Sequence, residues 1–219
     1  MDSEFVWIVL AAILSFSLAA IFAGWLRLKR NLYLVFYLLP AMAYFIAFIE
    51  INGIDFQKVL MHNWYWGLLG AGLAGALVIR NVFSQPSSAR NRGVTFLSDL
   101  LWPGLIYGLT DALILSVLPI LAVYRILGDA QWTGGFTGSI GLGALALMAS
   151  LFVTALYHLG YPEYRNKKVL WTMFGNGILS LAYILTMSPL AAILPHITMH
   201  MAAITHGPKT TGQVPPHYQ

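Results

Sequence analysis

Seven apolar stretches organise the chain: residues 5–26, 32–51, 59–80, 97–126, 139–160, 169–187 and 191–206. A bilayer's hydrocarbon layer is crossed by a helix of about 20 such residues, and most of these stretches are that long. The fold class they predict is all-α: a polytopic membrane protein, a bundle of seven transmembrane helices. Only 9% of the 219 residues are charged, against roughly 25% in soluble domains, and the loops are too short for a large extramembrane domain. The acidic start, residues 1–4, lacks the positive region of a cleaved signal peptide, so the first stretch reads as a retained span. Cysteine is absent, which excludes disulfides and thiolate chemistry. The net charge of +4 sits in clusters without interleaved aromatics, so no nucleic-acid partner is expected.

The connections follow from composition. Gly67, Gly70, Gly72 and Gly75 make the third stretch a small-residue helix suited to close packing. It is expected to begin near Val59, behind an interfacial aromatic cluster at Trp64-Tyr-Trp66. Residues 81–95, with Arg90 and Arg92, are polar and basic and are expected to be a mobile loop. In the long fourth stretch Pro103 fits the first helical turn and Pro119 a kink. Residues 128–138 form a glycine-rich loop, 188–190 a tight connection, and 207–219, with Pro215-Pro216, a non-helical tail. The whole chain, 1–219, reads as a single transmembrane domain. Three N-terminal spans and the basic loop fill 1–95, a four-helix core fills 96–207, and 208–219 is a cytoplasmic tail. No internal repeat of the inverted-repeat transporter kind is visible.

Seven crossings put the termini on opposite faces. Arg27, Lys29, Arg30, Arg80, Arg90, Arg92, Arg165, Lys167, Lys168 and Lys209 then share one side, and only Lys58 and Arg125 lie on the other. The positive-inside rule makes the first side cytoplasmic, with the N-terminus outside and the C-terminus inside. The location expected is the prokaryotic inner (plasma) membrane, with the bilayer itself as the first partner.

Ionisable residues inside a membrane are costly and usually functional. Asp111 sits mid-way along the fourth stretch, and its nearest helical cation, Arg125, is about 21 Å away along the axis. Gly104 and Gly108 share its face, so the carboxylate is expected to face another helix. His158 ends the fifth stretch. His196 and His200 lie one turn apart on one face of the seventh. By depth, all four groups fit the cytoplasmic half of the membrane. For His158 alone, a helix–helix hydrogen bond is as good a reading as a site; a mid-span histidine pair is harder to explain by packing. Glu50 and Asp55 read as interfacial, and His62, Asp99, His206 and His217 as lying near or beyond the membrane edges. Asn176 reads as a packing or polar-lining residue.

The order of these residues resembles the CAAX prenyl-protease and bacteriocin-processing family of intramembrane proteases. That family carries Glu-Glu-x-x-x-Arg on one helix, Phe-x-x-x-His on the next and His-x-x-x-Asn/Asp two helices later. Asp111-Ala-Leu-Ile-Leu-Ser-Val-Leu resembles the first motif, Phe152-Val-Thr-Ala-Leu-Tyr-His158-Leu the second, and residues 177–200, ending in His196-Ile-Thr-Met-His200, the third. Aspartate replaces the double glutamate, Leu115 or Ser116 the arginine, Thr154 the phenylalanine and His200 the final Asn/Asp. The resemblance implies an intramembrane hydrolase cutting a peptide bond near the cytoplasmic face. Asp111 would be its general base, His158 the base's partner, and His196 with His200 the oxyanion stabilisers.

The same four residues also match the ligand types of zinc or non-haem iron. Such a metal site is either closed and structural or open to water and hydrolytic, although the Glu of His-Glu-x-x-His is missing. The alternative is a catalytically silent relative acting as a membrane scaffold or accessory subunit. The expected partners are accordingly a membrane-associated peptide or protein substrate, or partner membrane subunits. A retinal protein is disfavoured, because the last stretch has no lysine for a Schiff base.

Overall fold

The computed structural model describes residues 3–128, 130 and 134–217. The chain is all-helical, with no strand among the described residues. Its helices are α1 (Ser3–Leu18), α2 (Arg30–Ile51), α3 (Phe56–Met61), α4 (Trp64–Ser84), α5 (Gly93–Asp99), α6 (Tyr107–Ala112), α7 (Leu118–Leu127), α8 (Gly135–Gly160), α9 (Lys168–Thr186) and α10 (Leu190–His206). Six helical stretches are long and apolar enough to cross a membrane: Phe5–Trp25, Arg30–Ile51, Trp64–Ser84, Gly93–Leu127, Gly135–Gly160 and Lys168–Thr186. The last helix, α10, has 17 residues, about 26 Å of rise.

Gly93–Leu127 is the axis of the molecule. Of its most apolar window 89% is buried, against 22–44% in the other five. It joins α5, α6 and α7 through two π-helical segments, Leu100–Ile106 and Leu113–Val117. The first contains Pro103, which therefore lies well inside a continuous helix rather than in its first turn. A proline has no N–H to donate, and the wider π turn is a common way for a helix to absorb a local irregularity. Pro119 lies inside the same continuous helix, two residues beyond the second π segment, where it too withdraws a backbone donor.

Two other boundaries differ from expectation. The segment before the third span folds as the separate helix α3, capped by Asp55, whose Oδ1 accepts from the Lys58 amide at 2.9 Å. Asn63, at φ +48°, breaks the chain between α3 and α4, as asparagine does readily in the left-handed region. The aromatic cluster Trp64-Tyr-Trp66 is thus the first turn of α4. In the glycine-rich connection α8 begins at Gly135; residues 129 and 131–133 of that expected loop lie outside the described residues.

The glycine face of α4 seats α10. A Cβ on Gly70 would stand 2.8 Å from Thr186 Cγ2 and 3.1 Å from Ala191 Cβ, and one on Gly75 would meet Pro195 at 3.6 Å. On the other side Gly160 of α8 lets the end of α1 approach; a Cβ there would lie 2.6 Å from Ala19 Cβ.

The basic segment 81–95 is shorter and more firmly held than its composition suggests. α4 continues to Ser84 and α5 starts at Gly93, and the loop between them is pinned by the tail. Gly212 N donates to Gln85 Oε1 at 2.9 Å, Gln85 Nε2 to Gln213 Oε1 at 3.1 Å, Lys209 N to Ser88 Oγ at 3.1 Å, and Thr210 to the Pro86 carbonyl. The tail also reaches the α8–α9 turn: His217 Nδ1 meets Glu163 Oε2 at 2.8 Å and Tyr164 donates to the Gly212 carbonyl. Burial, reinforced by the Glu163 carboxylate, raises the Tyr164 pKa, which keeps that hydroxyl a donor. Arg30 at the start of α2 donates to Pro216 O at 3.2 Å. One end of the bundle therefore gathers the α1–α2, α4–α5 and α8–α9 connections and the tail. At the other end Arg125 donates to Asn52 O at 3.0 Å and Asn63 to Thr186 O at 3.2 Å.

Candidate functional site

Asp111 lies on α6, the short helix between the two π segments, and is 3% exposed. The carboxylate faces α10, as the glycines on its helix predict. A Cβ on Gly108 would stand 3.0 Å from Ile197 Cα, 3.2 Å from His200 Cδ2 and 3.3 Å from the His196 carbonyl oxygen; one on Gly104 would stand 3.3 Å from Met201 Cγ. The missing side chains are what let the backbone of α10 come within reach.

On α10 the two imidazoles stack, with ring centroids 5.3 Å apart and planes 6° from parallel. Ligand atoms of Asp111, His196 and His200 all fall within 4.8 Å of one another. His200 Nε2 is 3.8 Å from Asp111 Oδ2, too far for a hydrogen bond. Both nitrogens of His200 and Nδ1 of His196 are buried and have no hydrogen-bond partner. Buried polar atoms are normally satisfied, and each orphan costs about 1–3 kcal/mol. A neutral imidazole keeps one lone pair, so each ring offers one electron-pair donor beside the Asp111 carboxylate.

His158 is placed differently. It lines the same cavity, but it is not a member of the trio. Its Nδ1 lies 2.8 Å from the Thr154 carbonyl oxygen. A carbonyl can only accept, so Nδ1 carries the proton and Nε2 keeps its lone pair. The four-residue set named from the sequence is thus a buried trio plus one histidine set apart on the cavity wall.

Two polar layers, of which the sequence reading had named only Asn176, flank the trio. Tyr33, Tyr37, Tyr107, Tyr157 and Tyr161 are fully buried. Tyr37 donates to Asp111 Oδ1 at 2.9 Å. Hydroxyls of Tyr33 and Tyr161, Tyr161 and Tyr157, and Tyr157 and Tyr107 are each 2.6 Å apart. Tyr107 sets its ring edge-on to His200, centroids 4.7 Å apart. The signal was present, because Tyr33/Tyr37 and Tyr157/Tyr161 share the four-residue spacing of the histidine pair; tyrosine is simply common in apolar helices for its ring.

The second layer is a knot of Ser116, Ser150, Thr154, Asn176 and Ser180. Ser116 donates to Asn176 Oδ1 at 2.9 Å, and Asn176 Nδ2 donates to Thr154 Oγ1 at 2.7 Å. Ser150 donates to the Leu115 carbonyl of the π segment at 2.6 Å. Asn176 is therefore both a packing residue and a cavity-lining one. Asn176→Leu is expected to lower the thermal midpoint in detergent through the lost bonds to Ser116 and Thr154, about 0.5–1.5 kcal/mol each, while leaving metal content unchanged.

Remaining ionisable groups sit at the margins: His206 Nε2 bonds Gln85 O at 2.7 Å, and Asp99 accepts from Asn91 at 2.8 Å. Comparison with known proteins finds no matching family model, curated relative or solved structure.

Proposed function

We propose that this chain is an intramembrane hydrolase of the CAAX-protease-like kind, in which Asp111, His196 and His200 hold one divalent metal ion, zinc or iron. The observation that carries the reading is the set of buried, unpartnered imidazole nitrogens gathered within 4.8 Å of a carboxylate. Carboxylate and neutral imidazole are the ligand types such ions take. Asp111, His196 and His200 would hold such an ion with one ligand atom each. The ion would supply Lewis acidity and a water acidified towards neutrality. Tyr37 orients the Asp111 carboxylate from behind, as outer-shell donors do in metal sites. His158, which lines the same cavity and keeps its Nε2 lone pair, would serve there as a proton acceptor.

Topologically, α10 is the seventh crossing, short but sheltered by α4. The end of the bundle that collects the basic connections is the cytoplasmic one, in a prokaryotic inner membrane, and the N-terminus is outside. The gathering of ten lysines and arginines towards that end supports this orientation.

Elemental analysis of purified protein tests the metal. About one zinc or iron per chain is expected, falling at least about tenfold in Asp111→Asn, His196→Ala and His200→Ala. Activity on membrane-anchored peptides should fall with it, and also in His158→Ala, which should keep its metal. No metal in the wild type, together with turnover lost in Asp111→Asn, would favour metal-free chemistry. If these variants change neither metal nor turnover, only the scaffold reading is left, with Asp111 and the tyrosines pinning α2, α6 and α8 together.

A further inference from the structure

The cavity that contains the trio measures about 780 Å³, within the usual range for small-molecule sites, and it has two kinds of wall. Along α4 and α9, Leu77, Trp171 and Phe174 line it while being 55%, 75% and 65% exposed. The cavity therefore opens sideways between these two helices, where a membrane helix meets acyl chains. At the end near the tail its rim is polar: Asn81, Lys168 and Lys209 line it and are exposed. Neither lysine has a carboxylate within 4.0 Å among the described residues, and the one acidic group on that rim, Glu163, is taken by His217.

Depth along the helices relates the walls to the trio. Phe174 lies six residues below Lys168, about 9 Å. His200 lies six residues below His206, again about 9 Å, and His206 bonds the rim residue Gln85. Phe174 and His200 thus each lie about 9 Å in from the rim-side end of their helix.

We infer that the cavity binds a single-chain amphiphile with an anionic headgroup. The head sits against Lys168 and Lys209, and the chain leaves between α4 and α9 past Leu77, Trp171 and Phe174. This names the substrate class of the hydrolase proposed above and rests on that reading for the chemistry alone; binding itself needs no metal. An inorganic anion would satisfy the lysines and leave the apolar wall unused, and a neutral lipid would do the reverse. Lysine holds phosphate as a point charge in many sites, and an apolar chain on Trp171 and Phe174 adds area-proportional affinity.

Photolabelling tests this. The probe is dodecyl phosphate with a terminal diazirine, added to the full chain in nanodiscs of zwitterionic lipid. Labels are expected on α4 and α9 peptides holding Leu77, Trp171 and Phe174. They should be competed by unlabelled dodecyl phosphate but not by dodecyl maltoside or inorganic phosphate. Lys168→Gln with Lys209→Gln should cut labelling roughly tenfold, about 1.4 kcal/mol, and the double arginine variant should restore it. Labels spread equally over the lipid-facing α1 and α2 residues Ile13 and Leu39 would overturn the proposal. Equal competition by the maltoside or by inorganic phosphate would overturn it too, as would indifference to the glutamine pair. His200→Ala separates the two readings. Labelling retained there while metal is lost supports the binding site independently of the chemistry. A metal-loaded wild type that shows no site-specific label refutes the binding site alone.

Discussion

The His200→Leu variant is expected to be less stable than the wild type when metal is bound, and more stable once a chelator has removed it. The sign reverses because the histidine plays two opposite parts. Without an ion, both of its ring nitrogens are buried and unpartnered. Replacing such a group by an apolar one of similar size recovers about 1–3 kcal/mol per orphaned atom. With an ion, the folded state gains binding free energy that the unfolded chain lacks, about 4 kcal/mol when free metal is a thousandfold above Kd. The leucine variant forfeits that gain. Thermal midpoints of both proteins, with and without chelator, give the four values needed. Were His200→Leu stabilising in both conditions, the trio would not hold metal. Were it destabilising in both, the ring would be a packing element with a partner that its unpaired nitrogens do not suggest.

Gly108→Leu is expected to abolish metal binding and turnover although Gly108 offers no ligand. A Cβ at this position already lies 3.0 Å from Ile197 Cα and 3.3 Å from the His196 carbonyl, both backbone atoms that cannot rotate away. The added side chain must push α10 off α6. Overpacking of this kind costs about 1–3 kcal/mol, occasionally more. A displacement of about 1 Å at a reacting centre costs on the order of 100-fold in rate. The comparison variant is Gly72→Ala on α4, where nothing lies within 4 Å of the new Cβ; it should keep full metal content and an unchanged midpoint. Metal retained in Gly108→Leu would mean that the spacing of α6 and α10 does not set the trio.

Much of this arrangement was legible before any coordinates. Spans of about 20 apolar residues announce membrane helices because hydrocarbon has no hydrogen-bond partners to offer an open backbone. Asp111 and the histidine pair stood out because burying such groups is expensive, and Gly104 and Gly108 pointed to the face along which another helix would pass. Illegible were the effects that depend on which helices touch. The loop at 81–95 looked mobile by composition, yet the tail holds it through Gln85 and Ser88. His158 looked like a fourth member of the set, but it stands on the cavity wall outside the trio.

The sequence by itself determined that this is a helical membrane protein, roughly where its helices run, and which costly residues it carries inward. Those properties are local, written in hydrophobicity and in spacings of three and four residues. The tertiary structure alone decided that Asp111 meets His196 and His200, that five tyrosines close in behind them, and that Lys168 and Lys209, with no carboxylate partner among the described residues, line a laterally open cavity. The reason is that these residues come from different helices, far apart in the chain, which only packing brings together. Gly104 and Gly108 mark the face of Asp111 by counting, but which helix passes along that face is settled only by packing against α10.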